Sequence, residues 1–221
     1  MSTRVKICGL RTAAALEAAL EAGADLVGFV LYPKSPRNVS LAEAAALVRQ
    51  ARAHGHARTV TLLVDPDDAL VDRVVAEIGP DLIQLHGHET PGRAFEIRSR
   101  SGLPILKAVP AGTAGEVEAA FGYLAPRGGA DLLMFDAKPP PDPAALPGGN
   151  GLAFDWHILE AARGRDFALA GGLTPENVAA AIRLTGASLV DVSSGVESRP
   201  GEKNPELIRR FLQAAKAAKQ S

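Results

Sequence analysis

The feature that most constrains this chain is an alternation repeated eight times, a short β-branched or apolar run followed by a longer, Ala-rich amphipathic run. Strand signals lie at Val5–Cys8, Leu26–Leu31, Thr59–Val64, Leu82–His86, Ile105–Val109, Leu132–Asp136, Phe167–Ala170 and Leu189–Val192. Helix signals lie between and after them: Thr12–Ala22, Leu41–His54, Asp67–Ile78, Pro91–Ser101, Ala114–Leu124, Trp156–Ala162, Pro175–Leu184 and Pro205–Lys219. Punctuation agrees with this reading. Thr12 is an N-cap with Gly23 as C-cap signal, and Ser40 with Glu43 three residues later forms a capping box.

Eight βα units with no leftover segment predict an α/β fold, a (β/α)8 TIM barrel, with residues 1–221 as one domain. An open, doubly wound sheet shares the alternation but comes second. The unit count, the length and the lack of an early Gly-x-Gly-x-x-Gly turn all disfavour it. Two βα connections are long, Tyr32–Val39 and Ala137–Gly151. In a barrel such loops lie at the catalytic face. The second reads as a stiff proline rim followed by a flexible glycine cover.

Composition narrows the partners. The formal net charge is −1 and aromatic residues make up 5%, so no global field and no stacking platform point to nucleic acid. The start lacks a long apolar run, and no segment approaches the ~20 residues needed to span a bilayer, so a cytoplasmic address without membrane contact is expected. A single cysteine, Cys8, rules out an intramolecular disulfide. No His/Asp/Glu spacing suggests a metal site.

Strand periodicity selects the chemistry. With Val5 and Ile7 facing the helices, Lys6 and Cys8 face inward. By the same parity Gln84, His86, Asp136, Asp191 and Ser193 point inward, and with Leu106 and Ala108 facing the helices Lys107 points inward too. Buried polar groups cost several kcal/mol each unless paired or wet, so Lys6, Lys107, Asp136 and Asp191 form either a buried ion network, a catalytic cluster, or both. Cys8 stands at a strand end beside an inward lysine, which would lower its thiol pKa toward that of a general base. Asp136 is the complementary acid candidate.

The turns after the seventh and eighth strands are glycine-containing: Ala170-Gly171-Gly172-Leu173 and Val192-Ser193-Ser194-Gly195-Val196. Backbone N–H groups there can approach an anion, and barrels commonly bind phosphate at these two turns. Arg37, in the Ser35-Pro36-Arg37 turn, carries a planar fork suited to a carboxylate. Asp155 reads as an N-cap and Trp156 as a packing residue. His54, His56, His88 and His157 read as surface or helix-boundary residues.

These motifs occur in order with others: Lys6-Ile7-Cys8-Gly9, Ser35-Pro36-Arg37, Gln84-Leu85-His86-Gly87, Phe154-Asp155-Trp156, Leu169–Leu173, Asp191–Glu197 and Pro200-Gly201-Glu202-Lys203. Together the set resembles the phosphoribosylanthranilate isomerase family from end to end. The resemblance implies an Amadori rearrangement of an N-aryl aminosugar phosphate, with no cofactor and no metal. It implies Cys8 as base and Asp136 as acid. Arg37 would take the anthranilate carboxylate, and Gly171, Gly172, Ser193, Ser194 and Gly195 the phosphate turns, with His86 and Asp191 also among the substrate-binding residues. The expected partner is a small phosphorylated aminosugar, and the chain is expected as monomer or homodimer. The family often has Gly-Gly-Thr-Gly where this chain has Gly148-Gly149-Asn150-Gly151. Two other readings remain: a different sugar-phosphate barrel enzyme, such as an epimerase or lyase, and a silent barrel that only binds a phosphorylated ligand.

Overall fold

The computed structural model describes residues 3–124, 128–138, 148–149, 151 and 154–218. Eight parallel strands close into a barrel in sequence order. They are β1 (Arg4–Cys8), β2 (Leu26–Leu31), β3 (Arg58–Leu63), β4 (Leu82–Leu85), β5 (Ile105–Ala111), β6 (Leu132–Ala137), β7 (Ala168–Leu169) and β8 (Leu189–Val192). β1 closes the barrel on β8, with Arg4 opposite Leu189 and Lys6 opposite Asp191.

Around the barrel run α1 (Ala13–Glu21), α2 (Leu41–His54), α3 (Asp68–Arg73), α4 (Pro91–Ser101), α5 (Ala114–Ala120), α6 (Val178–Thr185) and α7 (Pro205–Ala217). A 3-10 helix, Trp156–Ala162, fills the place between β6 and β7. The capping logic holds in detail. Thr12 Oγ1 accepts the Ala15 amide, the Ser40–Glu43 box is complete, and Asp155 accepts the His157 amide. None of the described helices is long and apolar enough to cross a membrane.

Some helices are less regular than their periodicity predicts. The third continues from α3 as a π-helix, Val74–Ile78, and the fifth tightens into a 3-10 turn, Phe121–Leu124. α6 begins at Val178, because Thr174–Asn177 forms a turn closed by the Asn177 side chain. Its Oδ1 accepts the Thr174 amide and its Nδ2 donates to the Gly172 carbonyl. The rim and cover expected within 137–151 fall largely outside the described residues, as does the end of the last helix at Lys219. A short antiparallel hairpin between β8 and α7 was not foreseen: β9 (Glu197–Arg199) and β10 (Glu202–Lys203).

The barrel interior is graded. Leu26, Val60, Leu82, Leu106, Met134, Ala168 and Leu189 form one apolar cluster inside it. Further along the same strands the inward positions turn polar: Gln84 and His86 after Leu82, Asp136 after Met134, Asp191 and Ser193 after Leu189. The apolar residues on the other parity, such as Val5, Ile7, Ile83, Leu85, Phe135 and Val190, join the helices in the larger core.

β5 corrects the expected parity. Leu106 and Ala108 belong to the interior cluster, and Ile105, Val109 and Ala111 to the helix-facing core. Lys107 therefore points between barrel and helices, not into the barrel. Its Nζ donates to Glu89 Oε2 and to the Gly87 carbonyl, both at 2.7 Å, and lies 5.7 Å from the Tyr123 ring centroid. Leu106 and Ala108 suit either face, so the pattern alone was ambiguous, and the deciding partner, Glu89, lies outside any strand. Glu89 is itself spent on three groups, since it also accepts the Asp65 and Gly87 amides.

Removing one member of a buried pair leaves the other charge uncompensated. Glu89→Ala is expected to cost about 3–5 kcal/mol of unfolding free energy, and Glu89→Leu combined with Lys107→Met to recover part of it. Urea titration of the variants checks this. An unshifted midpoint for Glu89→Ala would show that the pair does not hold these loops.

Candidate active site

The C-terminal ends of the strands surround a pocket of about 790 Å³, counted to its open mouth. Its lining includes Cys8, Arg37, His86, Asp136, Gly171, Gly172, Asp191, Ser193 and Ser194. Strand parity and strand ends thus bring together the site residues expected from sequence, with two differences. Lys107 faces away, as described. Gly195 lies behind the lining: a Cβ there would overlap the Leu173 carbonyl, so this glycine brings the two anion-type turns together.

Cys8 ends β1, half surrounded by Val30, Leu62, Tyr32 and Val64. Beneath it, Lys6 has no exposed surface and donates to Asp191 Oδ1 at 2.8 Å. Gly28 on the neighbouring strand gives this pair room, for a Cβ there would sit 3.1 Å from Lys6 Nζ and 3.2 Å from Cys8 Sγ. Burial disfavours the Lys6 ammonium, but Asp191 and Cys8 outweigh it and its pKa is raised. For the thiol, burial wins. Burial pushes Cys8 up, Lys6 pulls it down, Asp191 pushes it up again, and the net shift is upward. The lysine is where it was expected, but in the unliganded site desolvation exceeds its effect.

Asp136 sits across from this pair at the end of β6. Its Oδ1 accepts the Ala137 amide at 2.8 Å and its Oδ2 lies 3.2 Å from His86 Nε2. The expected network of Lys6, Lys107, Asp136 and Asp191 does not form as one: Lys6 pairs with Asp191, Asp136 with His86 and Lys107 with Glu89. Gly171 (φ 84°) crosses directly behind the carboxyl, and its Cβ would lie 2.8 Å from Asp136 Oδ1, so both conformation and space require glycine there. Next along the chain, the Gly172 and Leu173 amides donate to no other described residue. The four side chains read as peripheral histidines, His54, His56, His88 and His157, are all exposed.

Arg37 is buried, and its Nε and Nη2 grip Glu197 Oε1 and Oε2 at 2.8 Å each. Nη2 also donates to the Gly149 carbonyl at 3.3 Å. Lys203 Nζ completes the cluster, donating to Glu197 Oε1 (2.7 Å), the Ser193 carbonyl (2.9 Å) and Ser193 Oγ (3.2 Å). Ser193 Oγ in turn donates to the Cys8 carbonyl at 3.2 Å. The sequence reading gave Glu197 and Lys203 no part. Both stand in the quoted motifs, but only the unforeseen hairpin brings them to Arg37. Among the described residues no group of three or more His, Cys, Asp or Glu is arranged to hold a metal ion.

A closed parallel barrel with ionisable groups and glycine turns gathered at its C-terminal mouth is the architecture of the (β/α)8 enzymes. The model of the N-(5'-phosphoribosyl)anthranilate (PRA) isomerase family matches residues 5–214. A curated N-(5'-phosphoribosyl)anthranilate isomerase from Paracoccus denitrificans is 54% identical over 98% of this chain and 99% of its own. A crystal structure of phosphoribosyl anthranilate isomerase in complex with reduced 1-(o-carboxyphenylamino)-1-deoxyribulose 5-phosphate is similar at TM-score 0.82 and 31% identity, covering 97% of this chain and 98% of that one. A structure of mutually generated monomers of the dimeric enzyme from Thermotoga maritima is similar at TM-score 0.80 and 32% identity, with 97% and 98% covered. The chain belongs to the PRA isomerase family, and its activity is the aldose–ketose isomerisation of N-(5'-phosphoribosyl)anthranilate in tryptophan biosynthesis.

Because Cys8 is the only cysteine, its ionisation can be followed without interference from other thiols, against a Cys8→Ser blank that subtracts the tyrosines. The thiolate absorbance of the unliganded protein should rise at a pH above the ordinary thiol range of about 8.5, and Lys6→Met should move it higher still. A Lys6→Met titration that overlays wild type would show that the lysine does not act on this thiol.

Proposed function

We propose that Asp136 is the general acid and Cys8 the general base of this isomerisation. What supports the reading is their position on separate strands, facing one pocket from opposite sides, each with its own partner. Asp136 protonates the furanose ring oxygen, and the ring opens to a Schiff base. Cys8 removes the C2′ proton, and the resulting enolamine tautomerises to the ketone. Exchange with solvent then restores both groups. The unliganded thiol is held protonated by burial. The cationic, ring-opened Schiff base adds to the field of Lys6 and shifts the balance toward thiolate at the step that needs it.

The same reading assigns the substrate's ends. The anthranilate carboxylate goes to Arg37, whose Nη1 donates to no described residue. The aromatic ring goes against Val30, Tyr32, Leu62 and Val64 on the Cys8 side. The phosphate goes to the turns at Gly171–Gly172 and Ser193–Ser194, with Gly195 holding them together, where uncommitted amides favour an anion. His86 and Asp191 contact the ribose portion. The ligand is a small phosphorylated aminosugar.

Two substitutions test the acid and base. Asp136→Asn keeps the shape without a proton to give, and Cys8→Ser keeps a small hydroxyl whose pKa is far too high. Each should lower kcat by about 10²–10⁴-fold while a product analogue still binds, followed by anthranilate fluorescence and by titration calorimetry. Cys8→Ser with near wild-type kcat would sink the base assignment and leave the isomerase activity untouched. The kcat/KM profile of wild type should be bell-shaped, with the alkaline or acidic limb lost when the corresponding group is replaced.

A further inference from the structure

The β9–β10 hairpin contributes two of the three charges in a buried cluster at the pocket wall, yet neither proton-transfer group belongs to it. Arg37 comes from the loop after β2, while Glu197 and Lys203 come from the two strands of the hairpin. All three side chains are nearly inaccessible, at 7% or less. The hairpin tip also clasps the same loop, with Gly201 packed on the Pro36 carbonyl and Arg11 Nη1 donating to that carbonyl at 3.1 Å.

The donors can be accounted for one by one. Glu197 occupies the Nε–Nη2 edge of the guanidinium and the Gly149 carbonyl takes the second Nη2 hydrogen, so the fork presents Nη1 to an incoming group. An arginine neutralised by a buried glutamate would be a poor receptor for a second carboxylate. Lys203 changes that. Two cations share one carboxylate, and the cluster keeps a net positive charge in a region screened little by solvent. The three ammonium hydrogens go to Glu197 and to the two oxygens of Ser193, tying the cluster to the turn that follows β8.

We propose that the hairpin is a specificity element for the carboxylate end of the substrate, with Glu197 orienting Arg37 and Lys203 supplying the charge that lets Arg37 attract an anion. Glu197 and Lys203 are positioning residues, acting through Arg37. The inference rests on the assignment of Arg37 to the anthranilate carboxylate. Burial brings the Lys203 pKa down to about 8, opposed by Glu197, with Arg37 lowering it and Cys8 raising it further. The cluster therefore carries its net charge below about 8 and loses it as pH rises through that value.

The test compares two probes: the reduced product analogue with its carboxylate, and the same compound with a plain phenyl ring. Binding of both is measured by calorimetry to wild type, Arg37→Ala, Lys203→Met, Lys203→Arg and Glu197→Gln. Lys203→Met and Glu197→Gln should each lower the preference for the carboxylated probe by about tenfold or more, and Lys203→Arg should restore most of it. The phenyl probe should bind all variants alike, and KM should rise in Lys203→Met with kcat little changed. If Arg37→Ala abolishes the preference while Lys203→Met and Glu197→Gln keep it, the hairpin proposal is overturned and the Arg37 assignment stands. If Arg37→Ala keeps the preference, the Arg37 assignment itself fails and takes the proposal with it. Should the hairpin variants fold poorly, wild type decides alone. Its preference for the carboxylated probe must fall between neutral pH and about 9.5, and a flat preference overturns the proposal.

Discussion

A fully buried ammonium, Lys6 Nζ, lies inside the barrel wall, and its bond to Asp191 joins the first strand to the last. Closure of a parallel barrel requires β1 and β8 to pair in register, and a one-residue slip would turn every inward group outward. In the observed register Lys6 stands opposite Asp191, so the ion pair is satisfied only when the barrel is closed correctly. The same register sets Cys8 one inward step above Lys6 and Ser193 one inward step above Asp191, where the serine hydroxyl reaches the Cys8 carbonyl. The electrostatics of the thiol and the geometry of the turn after β8 thus follow from one interaction.

The rest of the site is built outward from that seam. The proposed acid and base lie on different strands with different partners, His86 for Asp136 and Lys6 for Cys8. The glycine turns let backbone pass close behind the carboxyl and between the last two strands. Outside the barrel the Lys107–Glu89 pair does analogous work for the loops after β3 and β4, with no share in the pocket.

Much of this was legible in the sequence because period and position carry it. Ser40 with Glu43, the parity of Val5-Lys6-Ile7-Cys8, and Asp136 at the end of its strand each followed from a local rule that the fold obeys. The failures share a different physical origin. The inward reading of Lys107 rests on Leu106 and Ala108 facing the helices, apolar residues that suit either side of the strand, and the residue that decides its direction, Glu89, is distant in sequence and lies in a loop. Glu197 and Lys203 were passed over because the hairpin strands are two and three residues long, too short for periodicity to register. The shift of the thiol was expected downward from its neighbour alone. Burial, which a sequence does not display, reverses the sign.

The buried, protonated state of Cys8 also bears on durability. Oxidants attack thiolates that they can reach, and this sulfur is 3% exposed with its ionisation held back by its surroundings. A cysteine poised as a thiolate at rest would be open to sulfenic acid formation whenever the pocket stood empty. Under the proposed mechanism reactivity is conditional on occupancy, and the occupant that calls it up also covers it. With Cys8 as the proposed base, the only sulfhydryl of the chain would serve proton transfer without a standing redox liability at the mouth of the barrel.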